Sequence, residues 1–101
     1  VKSKRGGKML ESKIETYLRE QVQKRGGLCW KFTSPGTRGV PDRIVMLNKK
    51  VAFVELKAPG KELKKLQRKR KKQIEAEGHW HCKVDTKEQV NRLMDLFEMS
   101  L

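Results

Sequence analysis

Two short segments hold the residues best suited to chemistry: Pro41-Asp42 and Glu55-Leu56-Lys57. Each adjoins an apolar run. Arg43 to Leu47 and Val51 to Leu56 are rich in valine and isoleucine and are separated by Asn48-Lys49-Lys50, the pattern of an antiparallel hairpin. Residues two apart on a strand project to one face, so Glu55 and Lys57 share a surface while Val54 and Leu56 face the other way. With Asn48 and Lys49 as a two-residue loop, Leu47 pairs with Lys50 and, counting outward, Asp42 falls opposite Glu55. A three-residue loop would break that parity unless a bulge restored it. On the shorter count, two acids and a lysine converge.

Carboxylates that face each other repel, and the arrangement is stable chiefly with a cation between them. Oxygen donors suit Mg²⁺ or Mn²⁺. Such an ion polarises a phosphodiester, lowers the pKa of a bound water and steadies a leaving oxygen, while Lys57 can orient the water or neutralise developing charge. The chemistry expected of Asp42, Glu55 and Lys57 is therefore hydrolysis of a nucleic-acid backbone. The plain alternative makes Asp42 a turn residue and Glu55 and Lys57 a surface ion pair. The matching hairpin depth and the basic surroundings favour a site.

Those surroundings are strongly charged: 25 Lys and Arg against 12 Asp and Glu give a formal +13 in 101 residues, a field that attracts polyanions. A membrane surface is the rival polyanion. No stretch approaches the ~20 apolar residues of a membrane-spanning helix, and the start is too polar for a signal peptide. The expected setting is soluble, intracellular and cytoplasmic. Cys29 and Cys82 lie far apart without a CxxC pair, which argues against structural zinc. His79 and His81 could face a metal together, with no third ligand nearby.

The length suits one core, expected over 9–101, and so small a domain gains from forming a homodimer. Residues 1–8 are basic and contain glycine, reading as a flexible arm or as a leader foreign to a start at Met9. Leu10, Ile14, Leu18 and Val22 recur every four positions and predict a helix to about Arg25, stopped by Gly26 and Gly27. Leu28 to Thr33 predicts a strand, followed by a loop with Ser34, Pro35, Gly36 and Gly39, whose N–H groups can cradle a phosphate or simply turn the chain. After the hairpin, 62–77 predicts a helix with a narrow apolar stripe. Its Lys64, Lys65 and Arg68 lie in a dense basic face suited to DNA phosphates. Trp80, Cys82 and Val84 alternate as in a half-buried strand, and Thr86-x-x-Gln89 predicts a capping box for a last helix carrying Val90, Leu93, Met94 and Phe97.

The order αβββαβα and its motifs resemble the PD-(D/E)xK nuclease superfamily, and within it the stand-alone VRR-NUC domains of phages and bacteria. The resemblance runs through Ile14-Glu15, Lys31-Phe32, Ser34-Pro35-Gly36, Gly39-Val40-Pro41-Asp42-Arg43, Val54-Glu55-Leu56-Lys57-Ala58-Pro59 and Leu66-Gln67. It implies an α/β fold with a restriction-endonuclease-like αβββαβ core, a mixed central sheet flanked by helices, and a C-terminal helix. It also implies that Asp42, Glu55 and the Leu56 carbonyl ligate the metal and that Lys57 is catalytic. Glu15 would be the acid of the first helix that completes the metal site, with Glu11 one turn earlier as its rival. Gln67 would be the active-site glutamine of the helix after the ExK strand. Lys31, Arg38 and Arg43 join Ser34, Gly36 and the basic helix as expected DNA contacts.

The activity implied is that of a Mg²⁺- or Mn²⁺-dependent DNA endonuclease, selective for Holliday junctions or other branched DNA. A homodimer would cut both strands and leave 5′-phosphate and 3′-hydroxyl ends. Two alternatives stay open, a non-catalytic nucleic-acid-binding protein on the same fold and a cleavage module that takes its specificity from a partner. No residue pattern reports on a 2′-hydroxyl, so RNA stays open too.

Overall fold

Asn48 and Lys49 both hold positive φ, 53° and 64°, as a two-residue type I′ turn demands at its two central positions. In the computed structural model, which describes residues 2–99, this turn joins β2 (Arg43–Leu47) to β3 (Lys50–Leu56). Leu47 stands opposite Lys50, and Arg43 opposite Val54, as the two-residue count predicts. One step further the count changes. The Asp42 N–H donates to the Val54 carbonyl at 3.0 Å, so Asp42 and Arg43 both address Val54, as at a bulge. Asp42 is thus not the next rung of the ladder, and its side chain makes the connection to β3 instead.

β1 (Leu28–Lys31) lies antiparallel beside β2, and β4 (Trp80–Val84) runs parallel to β3, giving a four-stranded mixed sheet in the order β1-β2-β3-β4. Helix α1 (Lys2–Lys24) and helix α3 (Lys87–Met99) pack together on one face. They bury Ile14, Leu18, Val22, Val90, Leu93, Met94 and Phe97 against Cys29, Val45, Leu47, Ala52, Val54, Leu56 and Val84 of the strands. Helix α2 (Lys65–Ala76) lies against β4 and buries no residue of its own. Its sparse apolar stripe leaves the opposite face of the sheet, where Glu55 projects, free of a second full core.

Element boundaries depart from the sequence reading in ways the contacts explain. The helical backbone of α1 begins at Lys2 rather than Leu10, because the four-residue apolar repeat marks only the buried face and not the helix's extent. It passes through the segment expected to be an arm, of which Val1 lies outside the described residues. β1 ends at Lys31 rather than Thr33. Helix α2 starts at Lys65 rather than 62, because Lys64 is extended (φ −73°, ψ 162°) and its N–H donates to the Gln67 side-chain oxygen at 2.8 Å. The Thr86 hydroxyl accepts the Gln89 N–H at 3.1 Å, and the Gln89 oxygen accepts from Asp85 at 2.7 Å, a capping box displaced by one residue from Thr86 itself. No helix among the described residues is long and apolar enough to cross a membrane.

Candidate active site

The alternation that sends Val54 and Leu56 into the core turns Glu55 to the other face, yet Glu55 is only 4% exposed. One of its oxygens, Oε2, accepts from Gln67 Nε2 at 3.1 Å and lies 3.9 Å from Lys57 Nζ. The other, Oε1, is buried without a hydrogen-bond partner. Asp42 is fixed from the neighbouring strand, its Oδ2 accepting the Leu56 N–H at 2.8 Å. Burial, first, and then the charge of Asp42 push the Glu55 carboxyl from an ordinary 4.5 to about 8; Lys57 opposes the shift, while a hydrogen bond with Asp42 and the charge of Glu11 add to it. Without a cation, the Glu55 carboxyl therefore retains its proton at neutral pH.

A hard cation fits these residues. The unpartnered Glu55 Oε1, the Asp42 carboxylate and the Leu56 backbone are all oxygen donors, which is what Mg²⁺ or Mn²⁺ takes. Among the described residues no group of three or more His, Cys, Asp or Glu could hold a metal ion. Two carboxylates and a carbonyl, with water for the rest, would make up the shell, as Mg²⁺ commonly keeps several waters. Of the two histidines, His81 is buried with both ring nitrogens unpartnered, and His79 is exposed.

Asp42 and Leu56 line a cavity of about 320 Å³ together with Glu11, Glu15, Lys31, Phe32 and Thr33. A larger hollow at the β4 edge, lined by His79 to Cys82 and Leu96, contains none of these residues. Both helix-one acids reach this cavity, but they are differently held. Glu15 Oε2 accepts from Arg43 Nε at 2.9 Å, whereas the charge of Glu11, one turn earlier, acts on Glu55. The preference for Glu15 thus meets a residue already committed to an arginine.

That arginine is itself a correction. Arg43 was expected on DNA, but it shares the inward parity of Val45 and Leu47, is 9% exposed, and also donates from Nη1 to the Cys29 carbonyl at 3.4 Å. It ties α1 to the sheet. Lys31 is exposed at the cavity. In the loop, Ser34 is half-buried and accepts the Thr37 N–H, while Gly36 and Arg38 are exposed, and the Arg38 carbonyl accepts from Arg70 at 2.6 Å. Gly39 has φ +83°, and a Cβ there would lie 2.7 Å from Leu66 Cγ. Close packing of the loop on α2 thus accounts for this glycine without a phosphate. Lys64, Lys65 and Arg68 are exposed at the start of α2, one turn from Gln67.

Sequence reasoning missed Asp85. It is 6% exposed, its Oδ2 accepts the Gly60 N–H at 2.8 Å and lies 3.8 Å from Lys83 Nζ, and its Oδ1 is buried without a partner. It thereby pins the loop that leads from Lys57 to α2. Nothing in the local sequence marks it apart from its place at the end of β4.

A bulged hairpin that presents two acids and a lysine, backed by a helix that supplies a glutamine, is the arrangement of the PD-(D/E)xK class. No family model matches the chain. It is 44% identical over 79 residues to "Putative nuclease p44" of Acyrthosiphon pisum secondary endosymbiont phage 1, a match that spans 77% of this chain and 85% of that protein. A solved structure described as a VRR_NUC domain superposes with a TM-score of 0.79 at 26% identity, over 85% of this chain and 95% of the other. The chain belongs to the VRR-NUC family of nuclease domains.

Proposed function

We propose that this chain is a Mg²⁺- or Mn²⁺-dependent endodeoxyribonuclease that hydrolyses phosphodiester bonds in Holliday junctions or other branched DNA. The carrying observation is Glu55, with one oxygen held by Gln67 and Lys57 and the other buried, unpartnered and set beside Asp42. Asp42, Glu55 and the Leu56 carbonyl would hold the cation, which when bound polarises the phosphodiester and makes an attacking water more acidic. Gln67 fixes the rotamer of Glu55, and through Lys64 it registers that carboxylate to the start of α2. The Lys57 ammonium, only 12% exposed, supplies a desolvated positive charge and donor for the phosphate or the water. Lys31 and the exposed Lys64, Lys65 and Arg68 supply phosphate contacts that position the backbone without reading its bases.

Small size supports action as a homodimer, one active site for each strand of a branched substrate, and a DNA substrate supports an intracellular setting. The assay compares four-way junctions, flaps, linear duplex and single strands with Mg²⁺, Mn²⁺ or EDTA, for the intact chain and for Asp42→Ala. Metal-dependent cuts, fastest on branched DNA and lost in the variant, are expected. Cleavage that persists at full rate in EDTA or in Asp42→Ala sinks the assignment. Sedimentation at assay concentration reads the oligomeric state.

A further inference from the structure

Helix α2 covers only part of the sheet face that carries Glu55. Trp30, Ile44, Phe53 and His81 align across the four strands, and they lie opposite the face where Val45 and Val54 enter the core. At the β4 side, α2 closes over this row, with Lys71 Nζ donating to the His81 carbonyl at 2.8 Å. At the β1 side nothing among the described residues closes it: Trp30 is 56% exposed and Leu28 47%. An aromatic path crosses the same region, with the Phe32 and Phe53 rings 5.7 Å apart and Phe53 and His79 6.1 Å apart, both edge to face.

This apolar shelf begins at the active site. Phe32 lines the cavity, and its N–H donates to the Asp42 carbonyl at 2.9 Å. Trp30, two residues back, is therefore the diagonal neighbour of Asp42, about 7–8 Å away, or roughly two stacked nucleotide steps at ~3.4 Å per step along one strand. Between positions 28 and 56 the only acids are Asp42 and Glu55, against Lys31, Arg38, Lys49 and Lys50, with Arg43 turned to the core and paired to Glu15. The charge around the shelf thus suits a polyanion. A second copy of the chain is the poorer fit, because the exposed parts of Trp30 and Leu28 amount to roughly 200 Å² on the areas typical of such side chains, well short of the ~800 Å² per partner of a stable interface. A flat indole beside a phosphodiester-binding cavity matches one base.

We propose that Trp30 is a stacking platform for an unpaired nucleobase of the substrate, next to the bond that is cut. The proposal rests on the nuclease reading and deepens it. A base inside a duplex has no free face, so Trp30 selects DNA with an unstacked nucleotide near the site, as at a branch, a flap or a single strand.

The test uses the full chain in EDTA, where no cleavage intervenes, with a short single-stranded oligonucleotide and a blunt duplex of equal length as probes. Trp80 packs on Phe97 with ring centroids 5.3 Å apart and gives a steady fluorescence background, so quenching reports Trp30. The single strand should quench the wild type. Trp30→Ala should lose the quench and bind that strand about 5- to 150-fold more weakly, the equivalent of ~1–3 kcal/mol per stacked base. Trp30→Phe should keep most of the affinity, and Trp30→Ala should bind the duplex within about twofold of wild type. Equal single-strand binding by wild type and Trp30→Ala overturns the proposal. So does sedimentation that shows a wild-type dimer and a Trp30→Ala monomer, which would make the shelf a contact between copies. If the wild type binds and quenches but never cleaves with metal, the nuclease reading fails while the stacking result stands.

Discussion

Replacing Glu55 by Gln should make the metal-free protein more stable at neutral pH, by an amount that grows with pH. Glutamine mimics the protonated acid: its carbonyl can still accept from Gln67 Nε2, and its amide can donate toward Asp42 as the protonated Glu55 carboxyl does. In the wild type, the folded Glu55 carboxyl titrates near 8 against an ordinary 4.5. A carboxyl raised on folding contributes its full stability below the unfolded value, and that stability is lost as pH rises through the folded one. The window is therefore about pH 4.5 to 8, with a slope approaching 1.4 kcal/mol per pH unit. Between pH 5 and 7.5 the wild type should lose about 3 kcal/mol relative to Glu55→Gln. Urea unfolding of both proteins in EDTA at half-unit steps measures the difference, in which groups common to both cancel. A gap that stays constant with pH would refute the claim that Glu55 is held protonated by burial and by Asp42.

The other substitutions separate chemistry from support. Lys57→Met should leave the fold intact and lower kcat by about 100- to 1000-fold with KM little changed, a loss of the size seen on removing one transition-state donor; single-turnover cleavage checks it, and an unchanged rate makes Lys57 structural. Gln67→Ala removes both the bond to Glu55 and the cap on Lys64, so it should cost about 1–2 kcal/mol of stability and ~10- to 100-fold in activity. A drop in stability alone would confine Gln67 to capping. Asp85→Ala strands the Gly60 N–H and should destabilise by about 1–3 kcal/mol, whereas Asp85→Asn keeps an acceptor for it and should cost less. Equal losses from the two would show that the charge facing Lys83 matters more than the bond to Gly60.

The parts of the site that follow from period and loop length were legible in the sequence. Asn48-Lys49 is a loop of two because two residues in the left-handed region close a hairpin with the correct twist, and the count from it holds as far as Arg43 opposite Val54. The bulge at Asp42 was not legible, since a doubled address to the Val54 carbonyl leaves no mark in residue type. Arg43 was open to a better reading. The parity that turns Val45 and Leu47 inward turns Arg43 inward too, but only the fold reveals Glu15 on α1 waiting to receive it. The same holds for Gln67, whose two bonds run to residues three and twelve positions away; a helix period shows its face, not its partners.

The distribution of apolar residues explains how so small a chain can hold a buried Glu55 beside a half-buried Asp42. Every residue of the main cluster belongs to α1, α3 or the strand side that faces them, and α2 contributes none. Stability thus rests on one face of the sheet, while the other is left for Asp42, Glu55 and the groups that hold them. This separation also sets where substitutions will be felt. Truncating Leu18 or Phe97, both fully buried, should unfold the protein without informing on the site, because the core behind the sheet supports Val54 and Leu56 and only through them Glu55. On the opposite face the site residues hold one another through hydrogen bonds and ion pairs, so a substitution there is read for stability and for cleavage together.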